Sequence, residues 1–151
     1  MRHLLSLLVM TVAAAGASFA QTLETVTVRS MDADHTFRVE IADDPEETSR
    51  GLMNRETLAA DAGMLFDFGA PREANMWMKN TLISLDMLFL APDGEVLAIA
   101  ERARPGSLRR INPGVPVKGV LEINGGLSAE LNLKPGDVVE HRIFGNVEVA
   151  D

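Results

Sequence analysis

The 151-residue chain contains no cysteine and no tyrosine, and its aromatic residues are one tryptophan and six phenylalanines. The absence of cysteine excludes disulfide bonds, so the hydrophobic core alone must stabilise the fold. It also excludes zinc sites built on thiolates, thiol nucleophiles and redox motifs. Valine, isoleucine, leucine and methionine must therefore supply most of the core.

Long hydrophobic runs are absent as well. The one apolar run, near the N-terminus, is shorter than the roughly 20 residues that cross a bilayer. Arg2 and His3 precede it, and Ser18 and Ala20 stand at the −3 and −1 positions of a cleavage site, with no cysteine after them for lipid attachment. This pattern is typical of a cleavable signal peptide. We predict a signal peptide over residues 1–20, cut after Ala20, and a periplasmic or secreted domain over 21–151 without stable membrane insertion.

Positive charge is scarce, since 14 Lys and Arg face 22 Asp and Glu in a chain of net charge −8. Without the signal peptide, which holds one Arg, the charge becomes 13 − 22 = −9. Such an acidic chain argues against nucleic acid and anionic membrane surfaces as partners. The single basic cluster is Arg102–Arg110, with four arginines. We interpret it as neutralisation of neighbouring acids, with docking of a carboxylate or phosphate ligand as the alternative.

Short alternating segments between turn residues fill the rest of the chain and indicate β-strands. One helix start is clear, because Asp44 can cap, Pro45 suits the first helical position and Glu47 completes a capping box. Gly51 is expected to end this helix. Such short strands with at most two short helices predict an all-β fold, a compact β-sandwich or barrel-like single domain. The predicted strands are Thr22–Ser30, Thr36–Ala42, Gly63–Phe68, Asn75–Lys79, Thr81–Ala91, Glu95–Ala103, Val115–Asn124 and Val138–Phe144.

The segment "NMWMKNTLISLDMLFL", Asn75–Leu90, is mostly apolar but carries several polar groups. Alternation places Asp86 on one face of a strand that is apolar on both faces, as in the centre of a sheet. An unpartnered carboxylate there would cost several kcal/mol. Asp86 is therefore expected to be ion-paired, hydrogen-bonded or facing a wet cleft, and Lys79 and Arg50 are candidate basic partners. The polar groups either fix the strand register as an internal network or line a ligand site.

Five motifs in order resemble the DUF192 family, also called UPF0127. They are "RGLMNR", "GMLFDF", "MWMKNTLISLD", "VLE" and "GD", spread over nearly the whole mature chain. Met76 and Ser84 depart from the usual Phe and Pro. The resemblance implies a compact, mostly β fold in a small exported protein, and it implies no activity. The family's polar motif positions carried over to this chain are Arg50, Lys79, Asn80, Thr81, Asp86 and Glu122.

Three functional hypotheses follow. In the first, a small polar or saccharide-like ligand is oriented by Asn80, Thr81, Asp86 and Glu122, Arg50 or Lys79 balances charge, and Trp77 supplies an apolar wall. In the second, Asp86 and Glu122 act as an acid/base pair that hydrolyses envelope material. In the third, the polar set is an internal network, and the protein acts through a surface contact with another envelope component.

Other chemistries find less support. The thioethers of Met76 and Met78 favour Cu(I), but in a strand Trp77 would point away from both, and His35 and His141 have no ligand spacing. The chain has no nucleophile-elbow motif and no glycine-rich phosphate loop. We therefore predict no metal and no cofactor.

Overall fold

A computed structural model describes residues 22–147, so the predicted signal peptide lies outside the described residues. The chain forms a mostly β fold with a seven-stranded curled sheet, as the sequence predicted. The strands are β1 Glu24–Arg29, β2 Asp34–Ala42, β3 Ala62–Arg72, β4 Leu85–Leu90, β5 Val96–Ala103, β6 Val117–Asn124 and β7 Val138–Glu140. Two short helices, α1 Pro45–Arg50 and α2 Leu127–Glu130, and a 3-10 turn at Arg142–Phe144 complete the described elements.

The strand order across the sheet is β5-β4-β6-β3-β2-β1-β7. β1 and β2 form the predicted antiparallel hairpin, and α1 leads from β2 to β3, which lies parallel to β2. The other pairs are antiparallel. This order places β4 and β6, which carry Asp86 and Glu122, side by side in the sheet.

The sheet curls until its two edge strands meet at one end. The Val96 amide donates to the Asp137 carbonyl at 2.8 Å, and the Val139 amide donates to the Gly94 carbonyl at 2.8 Å. A core cluster that takes buried side chains from all seven strands, including Leu88, Leu90 and Val139, fills the inside of this half-barrel. We call the contacts between the start of β5 and β7 the seam.

A second core cluster packs on the outer face of the sheet. It joins side chains of β3, β4 and β6, such as Phe66, Met87 and Val120, to residues of the covering loops, such as Leu52 and Met78. All six residues of β4 are buried, because it has a core on each face. The expectation that β4 is a central strand is therefore confirmed.

Three of the predicted strands, Asn75–Lys79, Thr81–Ala91 and Val138–Phe144, need correction. Residues 75–84 form a loop over the outer face, with only an isolated bridge from Met76 to Ile111. Asn80 adopts a φ of 54°, a left-handed conformation that interrupts extended backbone and that Asn tolerates better than most residues. The predicted closing strand is shorter than expected, since the 3-10 turn follows β7 after His141.

Candidate functional site

Asp86 lies in β4 with its side chain on the inner face of the sheet, and it is fully buried. One carboxylate oxygen accepts from the backbone amides of Arg102 at 2.7 Å and Gly126 at 2.8 Å. The other accepts from the Ser128 amide at 2.8 Å and from the Ser128 hydroxyl. Asp86 therefore caps α2 across the sheet and holds β5 beside it. The expectation that it needs partners is confirmed, and the partners are amides and a hydroxyl.

Glu122 is the second buried carboxyl. Asp86 is surrounded by hydrogen-bond donors, whereas Glu122 lies among apolar side chains. It lies in β6 and is 3% exposed, opposite Met64 of β3 on one side and Met87 of β4 on the other. Directly opposed residues of antiparallel strands share a face, so two thioether side chains flank the carboxyl. Among residues 22–147 no side-chain or backbone donor bonds to it, and burial raises its pKa to about 8. At neutral pH Glu122 is thus mostly a neutral acid that can donate an O–H.

A cleft opens above Glu122 on the outer face of the sheet. Glu122 and Phe66 form its floor, residues 48–53 form one wall, and residues 75–77 with Thr81 form the other. Its volume of about 60 Å³ holds a few waters or one end of a small molecule. The cleft widens next to Trp77 into a groove of about 250 Å³ that reaches Phe68 and Arg72.

The first wall depends on how α1 begins and ends. The Asp44 carboxylate accepts from the Glu47 amide at 2.8 Å, which is the cap predicted from the sequence. The hydroxyls of Thr48 and Ser49 donate to carbonyls one turn back, so their oxygens keep acceptor capacity for other groups. Gly51 ends α1 with a φ of 49°, and a Cβ there would lie 3.1 Å from the Phe66 ring. Glycine therefore lets the wall approach the floor.

The second wall is the loop that carries most of the predicted polar residues. The Asn80 carbonyl accepts from the Asn54 amide at 2.8 Å, which ties this loop to the first wall. Thr81 is buried, and its hydroxyl donates to the Lys79 carbonyl at 3.2 Å. Trp77 is 45% exposed at the rim, with the Lys79 ammonium 5.1 Å from its ring centroid. The rim thus offers an aromatic face beside a cation.

The structure brings together four of the seven predicted site residues, namely Arg50, Trp77, Thr81 and Glu122. Lys79 and Asn80 are exposed on the rim loop outside the cleft lining. Sequence reasoning missed Thr48, Ser49 and Phe66. The capping box predicted the helix that carries the two hydroxyls, but not that this helix would pack against β3.

The acid/base pair of Asp86 and Glu122 does not form. Met87 is the residue of β4 that pairs with Glu122, whereas Asp86 pairs with Ile123. Because side chains alternate along a strand, the two carboxyls lie on opposite faces of the sheet. They cannot flank one scissile bond, so the hydrolase hypothesis built on this pair is wrong.

The structure also places the residues considered for metal chemistry. Met78 is fully buried in the outer core, while Trp77 points to solvent. His141 contacts Glu24 at 3.0 Å, and burial lowers its pKa. Within residues 22–147 no group of three His, Cys, Asp or Glu side chains is arranged to hold a metal ion. No helix in the same range is both long and apolar enough to span a bilayer.

The basic cluster Arg102–Arg110 differs from its expected role. Its four arginines, at positions 102, 104, 109 and 110, form no ion pair with any carboxylate of the described chain. Neutralisation of neighbouring acids by direct pairing is therefore not what these side chains do.

The fold and cleft define a class of small β domains, a half-barrel whose outer face carries a loop-covered polar cleft. Within this class the chain belongs to the DUF192 family, described as an uncharacterised ACR, whose model matches residues 26–141. No curated protein matches the chain.

Two solved structures support the fold. A protein from Sinorhizobium meliloti 1021, provisionally described as a transcription regulator, is 42% identical with a TM-score of 0.81 over 84% of this chain and 99% of that one. A protein of unknown function from Novosphingobium aromaticivorans DSM 12444 is 39% identical with a TM-score of 0.79 over 87% of this chain and 94% of that one.

Proposed function

We propose that this protein binds a small polar or saccharide-like ligand in the cleft above Glu122 and the groove that continues from it past Trp77. The observation that carries the proposal is the buried Glu122 carboxyl, which no donor of the described chain satisfies and which opens into the cleft. The carboxyl is desolvated on its apolar sides and reaches the cleft with its oxygens, so its hydrogen-bond partners must come from whatever fills the cleft. A ligand hydroxyl or carbonyl can accept the Glu122 O–H there, so the site favours ligands with acceptors.

The lining matches a molecule that is polar at its edges and apolar on its faces. Trp77 and Phe66 offer aromatic surface, while Thr48, Ser49 and Thr81 offer hydroxyls around it. Binding sites commonly combine apolar walls with a few convergent polar groups. A sugar ring has this character, since its C–H faces stack on an aromatic ring while its hydroxyls bond to the edges of the site.

The experiment uses Trp77 as the probe, because it is the only tryptophan in the chain. Its emission is followed during titration with glucose, N-acetylglucosamine, cellobiose and chitobiose. We expect a saturable change for at least one sugar in the wild type. Glu122→Gln, whose amide can still donate, retains binding, and Glu122→Leu loses it by at least tenfold.

Leu108→Ala is the matched control, because Leu108 is 68% exposed and lies outside the cleft lining. Its titration should superimpose on that of the wild type. If no sugar changes the Trp77 emission, or if Glu122→Leu binds as the wild type does, the proposal fails. Thermal unfolding of each variant verifies that it is folded.

A second candidate function is docking to an acidic envelope component through the cluster Arg102–Arg110. The observation in its favour is that these arginines have no carboxylate partner in the described chain, although the protein carries a net charge of −8. Pull-down from a periplasmic extract with the wild type and with Arg109→Gln/Arg110→Gln tests it. A partner that both proteins retain equally would contradict this role. We propose no role for nucleic acid, given the acidic chain.

We propose further that the mature protein begins at Gln21 and works outside the cytoplasm. The basic tip, short apolar run and small residues before Gln21 support this. N-terminal sequencing of the protein from a periplasmic fraction should return Gln21 first. Recovery of the intact chain from the cytoplasm alone would contradict export.

A further inference from the structure

The residues that line the groove beside the cleft indicate which class of sugar the site binds. The groove shares Thr48, Ser49, Phe66 and Trp77 with the cleft, so the two form one continuous depression. Among the described residues, Arg72 is the only charged side chain that lines the groove. The continuous depression therefore has Glu122 and Arg50, which pairs with Glu46, at one end and the Arg72 guanidinium at the other.

The Arg72 guanidinium stacks on an aromatic ring and has no carboxylate partner among the described residues. Its guanidinium carbon lies 4.1 Å from the centroid of the Phe68 ring, a stacked position that leaves the N–H donors at the guanidinium edge open. Within residues 22–147 Arg72 forms no ion pair, whereas Arg50 at the other wall is 3.3 Å from Glu46. A planar guanidinium recognises carboxylate or phosphate through two parallel hydrogen bonds.

Acidic residues limit where an anion fits. Beyond Arg72 the surface is lined by Asp43, Asp44 and Asp67. Asp67 is bonded to the Lys118 ammonium at 2.9 Å, and Asp44 caps α1. Because this end of the surface is negative, an anionic group is favoured between Trp77 and Arg72 and disfavoured further along.

The sheet register separates Glu122 from Arg72 along the depression. Glu122 pairs with Met64, and Arg72 pairs with Val117 on the same strand β6. The five residue steps from Val117 to Glu122 span about 16 Å at the usual rise per residue. This is the separation of the two backbone positions, and it favours a ligand of more than one sugar unit.

We propose that the ligand is an acidic disaccharide or short oligosaccharide, with an uncharged sugar unit over Glu122 and Trp77 and its anionic group on Arg72. This inference rests on the proposed saccharide site and names its ligand class. On a protein of net charge −8, a guanidinium without a carboxylate partner is the local feature that selects an anion.

Cellobiouronate, which is one glucuronate joined to one uncharged glucose, and its methyl ester form the matched pair of probes, because they differ in charge and share the same rings. Trp77 emission is followed at low salt. We expect the wild type to bind the acid at least tenfold more tightly than the ester. Arg72→Gln should lose most of this preference, and Arg72→Lys should recover part of it.

Arg38→Gln is the control, since Arg38 is an exposed arginine that pairs with Asp61 away from the groove. It should keep the full preference for the acid. Maltose 1-phosphate against maltose shows whether phosphate substitutes for carboxylate. If the wild type binds acid and ester equally, or if Arg72→Gln keeps the preference, the acidic class is wrong while the saccharide site stands. If neither probe nor any neutral sugar binds, both proposals are overturned.

Discussion

Glu122 and Asp86 are both buried carboxyls, and they differ in the number of donors around them. Asp86 accepts four hydrogen bonds, while Glu122 accepts none from the described chain. The same isosteric change from acid to amide should therefore have different effects at the two positions. This contrast separates a structural carboxylate from a carboxyl that faces a site.

At Asp86 the change to Asn should destabilise the fold by about 3 kcal/mol at pH 7. The amide nitrogen of Asn cannot accept, so at least one buried donor from Gly126 or Ser128 loses its partner. Urea unfolding measures the loss, and sugar binding by the folded fraction should match the wild type. A neutral result would mean that the amides find other acceptors.

At Glu122 the change to Gln should alter the pH dependence of stability. Burial raises the folded pKa from 4.5 to about 8, so the folded wild type holds a proton that the unfolded chain releases above pH 4.5. Its stability therefore falls as pH rises through this window, by at most about 1.4 kcal/mol per pH unit. Gln does not titrate, so the stability of Glu122→Gln relative to wild type should increase from pH 5 to pH 8 in urea titrations. A constant difference would show that the pKa is not raised.

Sequence patterns predict which residues share one face of a strand. They do not predict which residues of neighbouring strands pair with each other. Alternation correctly placed Asp86 on one face of a central strand with apolar faces and predicted that it needed partners. It could not show that Glu122 faces the other way, because this depends on the register in which Met87 meets Glu122. The absence of any partner for Glu122 likewise follows from its neighbours on two other strands.

Among the secondary-structure elements, α1 is the one that its own neighbouring residues predict well. Asp44, Pro45 and Glu47 lie within a few residues and fix the helix start without help from the rest of the chain. The loop of residues 75–84 resembles a strand in sequence because it is rich in apolar residues. These side chains pack in the outer core, while the backbone forms no continuous β-ladder. Met78 donates its amide to the Ser107 carbonyl at 3.0 Å, a distant partner that no local pattern indicates.

Removing the cap of α1 tests whether this helix holds the first wall of the cleft. Asp44→Ala should destabilise the protein by about 1 kcal/mol, and Asp44→Ser should restore most of it because Ser also caps. Hydrogen exchange at the amides of Thr48 and Gly51, which donate to Asp44 and Glu47 carbonyls, should accelerate in Ala and remain slow in Ser. Equal exchange in both variants would show that packing alone holds the helix.

For the molecule as a whole, the feature hardest to predict is the seam. The number of strands predicts a sandwich or a barrel. It does not show that β7 and the start of β5, which lie at opposite edges of the sheet, meet each other. Gly94 stands at this point, in the turn between β4 and β5, with a φ of 89°. A Cβ there would lie 2.3 Å from the Val139 carbonyl oxygen. Only glycine permits the two edges to approach this closely.

Gly94→Ala should therefore open the seam, and Gly114→Ala separates this effect from backbone strain. Gly114 also has a positive φ, of 79°, but a Cβ there meets nothing within 4 Å. We expect about 1 kcal/mol of destabilisation for Gly114→Ala from the left-handed conformation, and at least about 2 kcal/mol more for Gly94→Ala because the carbonyl of β7 must move. Urea unfolding gives both values, and faster hydrogen exchange at the Val96 and Val139 amides should accompany the loss only in Gly94→Ala. Equal losses in the two variants would mean that the half-barrel is stable without its seam, and that the inner core alone holds β5 and β7 together.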